Sequence, residues 1–365
     1  MKKPTVPSGV EPAYSTYLHA KGARLGLPIT GNFELTARCN FRCKMCYVHH
    51  EQDAGGELTA AQWIALGKQA ADKGMIFLLL TGGEPLLRPD FREIYTGLKK
   101  LGLLISLNTN GFLLDEEMVE FLKKDPPLRI NVSLYGGNDG DYESLCGVPA
   151  FDRVTENIKR AKQAGLQLRL NCSVTPENAG AIPAIHAFAR ENDLRIKGTT
   201  YMFPPVRVNG CQYGDSPCRF TPEAAAEHML RWREELLTPE QLAASCVEGG
   251  WGEEDCSDGQ GDPMRCRAGR TAFWVTWDGR MLPCGMFPGE GYALAQYGFD
   301  RAWELVRQDC AAIRMPAKCT SCTYRPVCAL CAASCLTETG GFEQAPEYVC
   351  RMTEHLNAIT REKYG

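Results

Sequence analysis

The sequence predicts an α/β fold: a partial (β/α)6 TIM-like barrel followed by a C-terminal cysteine-rich domain. Two observations carry that expectation. From Phe33 to Phe203 short apolar runs alternate with longer amphipathic segments, and the 18 cysteines are unevenly spread, with three at 39–46, five at 146–246 and ten at 256–350. Strict strand–helix alternation implies parallel strands joined by right-handed crossovers, and such a sheet takes its ligands at the carboxyl ends of its strands.

The runs expected as strands are FELTAR (33–38), MIFLLLT (75–81), LLISLN (103–108), LRINVSL (128–134), LQLRLNCSV (166–174) and LRIKGTTYMF (194–203). Helix signals lie between them. LTAAQWIALGKQAADKG opens on Thr59 with Gln62 placed to close a capping box; DFREIYTGLKKLG is capped by Asp90 and ended by Gly102. DEEMVEFLKK is capped by Asp115, FDRVTENIKRAKQAG ends at Gly165, and AIPAIHAFAREN precedes the last strand. The expected organisation is an N-terminal extension (1–32), the barrel (33–220), bridging helices (221–245) punctuated by Pro239, and the cysteine-rich domain (246–365). That last region is glycine-rich and acidic in CVEGGWGEEDCSDGQGDP, has short strand-like pieces around TAFWVTWDGRMLPC, and holds few long apolar runs. Metal sites are expected to fold it as much as a core does.

The 365 residues suffice for a barrel and a substantial appendage, and 44% hydrophobic with 23% charged residues is ordinary for a globular chain. A formal charge of -4 without a long basic run argues against nucleic acid or an anionic membrane as partner. The opening MKKPTVPSGVEPAYSTYLHA lacks the apolar core of a signal peptide and no segment reaches about 18 apolar residues, so a soluble cytoplasmic protein is expected. Cytosolic thiols stay reduced, which turns the cysteines from disulfides toward metal.

In CNFRCKMCYVHH, Cys39, Cys43 and Cys46 follow directly on the first expected strand. A closed zinc site takes four ligands, with His49 or His50 available as the fourth. An iron-sulfur cluster on three thiolates keeps one iron open for a ligand that is not protein. The second strand ends in TGGEP (81–85), where Gly82 and Gly83 let backbone approach a ligand closely and Pro85 fixes the exit direction.

A Cx3Cx2C triad followed by Tyr47, with GGEP after the next strand, resembles the radical S-adenosylmethionine (SAM) superfamily. The resemblance implies that Cys39, Cys43 and Cys46 bind a 4Fe-4S cluster whose open iron is chelated by the amino and carboxylate groups of SAM. It further implies that Gly82, Gly83, Glu84 and Pro85 hold the methionyl amine and that Tyr47 packs near the adenine. Asn108, Asn110, Ser133, Asn171 and Ser173 sit where the family places ribose and carboxylate contacts. In that family the reduced cluster splits SAM into methionine and a 5'-deoxyadenosyl radical, which takes a hydrogen atom from the substrate.

The tail reads C-x12-G-x4-C at Cys266, Gly279 and Cys284, then Cys319, Cys322, Cys328, Cys331, Cys335 and Cys350. This resembles the SPASM extension of enzymes that mature peptides and proteins, which carries two auxiliary 4Fe-4S clusters. By that resemblance the outer cluster uses Cys319, Cys322, Cys328 and Cys350. The inner one uses Cys266, Cys284, an upstream cysteine and one from the C-terminal run. The family's spacing lands on Ala332, so the last of these is Cys331, which we favour, or Cys335; the upstream ligand is Cys256 or Cys246. Zinc knuckles are the alternative for the same C-x2-C spacing. Cys146, Cys172, Cys211, Cys218 and Cys310 fit no pattern. Cys146 stands out because some relatives place an arginine that contacts the SAM carboxylate in the stretch SLYGGNDGDYESLCGVP, and here there is none.

The function expected is a radical SAM oxidoreductase that abstracts hydrogen from a peptide or protein side chain and leads to an oxidative modification, such as a crosslink or thioether. Alternatives are sulfatase maturation to formylglycine, small-molecule dehydrogenation and, outside catalysis, an iron-sulfur electron carrier or zinc scaffold. Implied partners are the peptide or protein substrate and an electron donor such as a flavodoxin or ferredoxin. The residues before Phe33 are too few for a peptide-recognition domain, so a separate recognition protein is allowed for. No residue stands out as a general acid or base.

Overall fold

A computed structural model describes residues 10–47, 56–206, 218–247, 261–264 and 266–365. Helix α1 (Val10–Leu25) precedes β1 (Thr30–Glu34), α2 (Ala60–Asp72), β2 (Phe77–Thr81), α3 (Phe91–Lys99), β3 (Leu104–Thr109), α4 (Glu116–Lys124) and β4 (Arg129–Ser133). Then come α5 (Asp139–Cys146), α6 (Phe151–Gln163), β5 (Leu168–Ser173), α7 (Ile182–Glu191), β6 (Arg195–Thr199), α8 (Pro222–Glu234) and α9 (Pro239–Ala243). The remainder holds β7 (Ala272–Val275), β8 (Arg280–Leu282), β9 (Tyr292–Ala293), α10 (Leu294–Ala312), α11 (Ala332–Thr339) and α12 (Glu347–Tyr364). Among the described residues no helix is long and apolar enough to cross a membrane.

All six expected strands form, and they pair in parallel in the order β6-β5-β4-β3-β2-β1, which is the partial barrel read from the sequence. The sheet does not stop there. Strand β7 adds to the far side of β1 in parallel, from Thr30 against Ala272 to Phe33 against Val275, and β8 and β9 follow antiparallel. The cysteine-rich region is thus continuous with the barrel's sheet. Phe33 sits at the joint, its ring 5.0 Å from Trp63 of α2 and 6.4 Å from Phe273 of β7.

Alternation along the strands decides which face carries chemistry. In β4, Ile130 and Val132 are fully buried in the core while Asn131 and Ser133 take the opposite face. In β5, Leu170 and Cys172 are buried while Asn171 and Ser173 alternate with them. Polar residues therefore line the barrel's inner face toward the strand ends.

Local signals were mostly honoured. Thr59 and Gln62 form the capping box, and Asp115 accepts from Met118 N at 3.0 Å. Thr238 and Gln241 box the start of α9, with Pro239 its first residue. Asp90 does not cap α3, because Arg88 takes its carboxylate through Nε at 2.8 Å and Nη2 at 2.7 Å. The first strand begins at Thr30 and ends at Glu34, short of the expected Arg38. Residues 36–38 instead serve as a wall: Gly83 N donates to Thr36 O and Glu84 N to Arg38 O, each at 2.8 Å. Helices α1 and α5 were not expected; Asn138 caps the latter by accepting from Asp141 N at 3.0 Å.

Candidate functional site

At the carboxyl ends of the strands lies a cavity of about 670 Å³. The loop after β1 supplies Cys39, Cys43, Cys46 and Tyr47, and the end of β2 supplies Thr81, Gly82 and Gly83. Asn108 and Asn110 come from β3 and the residue after it, Ser133 and Tyr135 from β4 and beyond, and Asn171 and Ser173 from β5. Three thiols, a glycine turn and the polar strand ends thus share one space, whose size is that of a small-molecule site.

The glycines are required by backbone approach. Gly82 has φ 148°, and a Cβ there would stand 2.6 Å from Thr36 O; one on Gly83 would overlap the Arg38 carbonyl. Glu84, by contrast, has no exposed surface and turns into the fold. Its carboxylate accepts from Leu86 N at 3.1 Å, Thr109 Oγ1 at 2.8 Å and Asn110 N at 2.7 Å, tying the β2 turn to the end of β3. Burial pushes its pKa up to about 7, while those three donors pull the other way. Neither Glu84 nor Pro85 is among the residues lining the cavity.

Cys39 Sγ accepts from Phe41 N at 3.4 Å and lies 3.9 Å from Asn110 Nδ2, which also donates to Asn40 Oδ1 at 2.7 Å. Cys46 N donates to Cys43 O at 3.1 Å, closing a turn between two of the thiols. Burial pushes the Cys39 thiol up to about 12, so binding a metal here is coupled to proton release. Among the described residues no three His, Cys, Asp or Glu side chains converge on a point that could hold a single metal ion. The three thiols instead line a space, with the glycine turn and polar side chains for a small ligand beside them, and this donor set fits a thiolate-bound cluster with an organic co-ligand. His49 and His50 lie outside the described residues.

A second cavity, of about 460 Å³, is lined by Cys266, Cys319, Cys322, Cys328, Cys331 and Cys350. Cys284 is partly buried; burial raises its thiol pKa, and the charges of Cys331 and Cys266 add to that. Cys335 is fully buried one turn into α11 and does not line the cavity, whereas Cys331 stands at its edge as the N-cap of that helix. Cys246 lies apart, with its thiol 3.7 Å from Leu242 O. Cys256 and Cys211 fall outside the described residues.

Tyr201 Oη donates to Glu338 of α11 at 2.6 Å, and Glu338 also pairs with Arg219, whose guanidinium lies 3.5 Å from the Tyr348 ring centroid. Among the cavity residues not singled out from sequence are Thr81, next to Gly82, Thr109, between the two asparagines, and Tyr135, two positions beyond Ser133 and so on the same side of an extended chain.

The family model described as "Radical SAM superfamily" matches residues 33–189. The chain is 29% identical over 336 residues to an AdoMet-dependent heme synthase of Methanosarcina barkeri, covering 87% of this chain and 94% of that one. It is 36% identical over 162 residues to a probable GTP 3',8-cyclase of Sulfolobus acidocaldarius, of which it spans about half, 51%. In fold it is similar to Streptococcus suis SuiB bound to S-adenosylmethionine, with a TM-score of 0.64 at 18% identity over 95% of this chain and 82% of that one. It is also similar to anSMEcpe with bound AdoMet, with a TM-score of 0.69 at 16% identity over 92% and 98%. SuiB has been seen with the precursor peptide SuiA, and anSMEcpe with the peptide Cp18Cys.

Proposed function

We propose that this chain, whose residues 33–189 match the radical SAM superfamily model, uses a 4Fe-4S cluster and SAM to abstract a hydrogen atom from a peptide or protein side chain and completes the reaction by oxidation. When bound, cluster and SAM supply the 5'-deoxyadenosyl radical for that abstraction. The chain's own residues bind and orient. Cys39, Cys43 and Cys46 hold the cluster, the Gly82–Gly83 backbone faces the SAM amine, and Tyr47 packs near the adenine. Asn108, Ser133, Asn171 and Ser173 offer hydrogen bonds along the polar inner face. Glu84 positions rather than touches, by holding the glycine turn to Asn110.

The tail thiols hold two auxiliary clusters. Cys319, Cys322, Cys328 and Cys350 take the outer one. Cys266, Cys284 and Cys331, with Cys256, take the inner one and offer an electron a buried route out of the substrate. A flavodoxin or ferredoxin delivers the first electron.

The observation that carries the reading is the pairing of two thiol-lined cavities in one chain, the first facing a glycine turn at the strand ends. The peptide substrate is supported by the two similar folds seen with peptides bound. A second reading, a heme precursor as substrate, is supported by the heme synthase that aligns over 94% of its length.

Anaerobically reconstituted protein is expected to hold about twelve iron atoms per chain and, once reduced, to release 5'-deoxyadenosine from SAM. Peptides encoded beside the gene and porphyrin precursors are then offered separately. Turnover with loss of two hydrogens from a peptide supports the first reading, and conversion of a porphyrin alone replaces it with the second. Zinc without sulfide in the purified protein sinks both.

A further inference from the structure

The inner face of the barrel carries a charge gradient that the strand-end site does not use. Asn171 and Ser173 of β5 line the large cavity, and alternation puts Arg169 on the same face, two residues nearer the start of the strand. Strand β6 pairs with β5 in parallel, with Arg195 beside Arg169, Lys197 beside Asn171 and Thr199 beside Ser173. Residues in register share a face, so Arg195 and Lys197 extend the inner face by one strand. Helix closes the other side of β6, since a Cβ on Gly198 would run into the Trp232 ring of α8. On β4, Arg129 shares the inner face with Asn131 and Ser133 and donates from Nε to Asn131 Oδ1 at 3.1 Å.

Cations therefore stand on the inner face of β4, β5 and β6, and none of these three strands contains an acid. Glu34 of β1 lies at the opposite end of the barrel strands and accepts from Trp274 Nε1 at 3.3 Å. Nearby ion pairs use the helix residues Arg160, Lys162 and Arg190 instead. Among the described residues no acid pairs with Arg169, Arg195 or Lys197. Arg195 and Lys197 are exposed and Arg169 is half-buried. Next to them, Thr199 and Arg233 of α8 line a smaller cavity of about 110 Å³, which has no acid among its described lining residues.

Charges on an edge strand also keep it from pairing with other chains. That role needs only the edge and accepts either sign, whereas here the sign is uniform and Arg169 and Arg129 lie one and two strands inside the edge. Setting Arg169 beside Arg195 costs repulsion, which an anion between them removes.

We propose that this patch binds a carboxylate of the substrate: Lys197, with Arg169 and Arg195, holds an acidic group one strand spacing, about 4.8 Å, from Asn171 of the first cavity. The inference deepens the proposed function by naming the substrate's chemistry, and it rests on the reaction taking place at the strand ends. Arginine forks suit a carboxylate geometrically as well as by charge. Acidic side chains of a peptide and the carboxylates of a porphyrin precursor share this chemistry.

The test is equilibrium binding to the full reconstituted chain with SAM present. The probes are a dansyl-labelled hexaglutamate peptide and a tetracarboxylate porphyrin, each set against an uncharged counterpart, hexaglutamine or the porphyrin methyl ester. An acidic probe is expected to bind more tightly than its counterpart, and the one that does so identifies the source of the carboxylate. Arg169→Gln/Arg195→Gln/Lys197→Gln should weaken that binding at least tenfold with iron content unchanged, while Lys197→Arg, which keeps the charge, retains it. Lys100→Gln/Lys124→Gln, exposed at the ends of α3 and α4, should have no effect. Should the triple variant lose iron, the single variant Lys197→Gln carries the same comparison with a smaller loss. Acidic and uncharged probes binding alike, or an equal loss in the α3 and α4 variant, overturns the inference. Release of 5'-deoxyadenosine from SAM by the same wild-type protein then shows that the radical chemistry stands without it. A wild type that releases none overturns the proposed function, and the inference with it.

Discussion

The cavity at the barrel mouth is framed by backbone that the core already holds, while the cavity in the C-terminal region takes four of its six cysteines from a stretch with no buried residue. Around the first, the fully buried Leu35, Leu80, Leu107 and Val132 anchor the strands from which the loops spring. Peptide hydrogen bonds from Gly83, Glu84, Arg42 and Lys44 then lock those loops to one another. Around the second, no residue from Ala317 to Cys331 is buried, yet that stretch carries Cys319, Cys322, Cys328 and Cys331. Before α11 it holds one short 3-10 turn, Ala317–Cys319. A segment with so little apolar burial cannot offset its chain entropy from packing alone. The first site is held in place by the core, whereas the second has little packing of its own to hold it.

Removing ligands from each site should therefore have unequal consequences, and this is the largest effect expected. In Cys319→Ala/Cys322→Ala the outer cluster is lost, and with it stabilisation on the order of 10 kcal/mol that metal binding can contribute to folding. Iron falls by about four atoms per chain. Limited proteolysis is expected to cut between Ala317 and Cys331 while the barrel survives. The triple variant Cys39→Ala/Cys43→Ala/Cys46→Ala should lose the same amount of iron and all 5'-deoxyadenosine formation, yet resist protease in the 39–46 loop as wild type does. Equal protease sensitivity at the two sites would erase the contrast.

The same contrast explains what could be read from sequence. The N-terminal triad was legible because its three thiols are contiguous and follow a strand, and the six strands because their apolar runs are local. The tail thiols were legible as a set through the family resemblance that their spacing carries, though it divided between two clusters the six, Cys266, Cys319, Cys322, Cys328, Cys331 and Cys350, that line one cavity. Non-local partners were not. Strand β7 is four residues long and pairs with a strand some 240 positions earlier, which no periodicity announces. Glu84 sits in a motif that suggests ligand contact, but Thr109 and Asn110, 25 and 26 residues away, claim its carboxylate. Asp90 has the right residue type for a cap, yet Arg88, two positions earlier, outcompetes the helix amides for it.

A sharper probe of the preformed site is Gly83→Ala. The added methyl meets the Arg38 carbonyl, which is backbone and cannot swing aside as a side chain could. The two loops must separate, at a cost of about 2–3 kcal/mol judged from substitutions at strained or close-packed backbone. Chemical denaturation should register that loss, and SAM binding to the reconstituted protein is expected to weaken at least tenfold while all three clusters remain. Unchanged affinity would mean that the glycine turn does not face the ligand.

The smallest expected effect concerns the seam where the two regions share one sheet. His19 of α1 bridges them: Nδ1 lies 2.7 Å from Thr271 Oγ1, just ahead of β7, and Nε2 lies 3.3 Å from Thr30 Oγ1, at the start of β1. Burial, with the Arg267 charge adding to it, holds its pKa down to about 4. An unfolded histidine titrates near 6.5, so between about 6.5 and 4 the unfolded chain binds the proton more readily than the folded one. Stability from this group is complete above that window and drains away as pH falls through it, by about 2 kcal/mol at pH 5. In His19→Gln, which has no proton to gain, this part of the acid sensitivity disappears. The stability difference between wild type and variant should therefore shrink from pH 7 to pH 5, with cluster acid lability common to both proteins. A difference that stays constant across that range would show that His19 takes up its proton as readily in the folded protein as in the unfolded chain and that the seam is open to water.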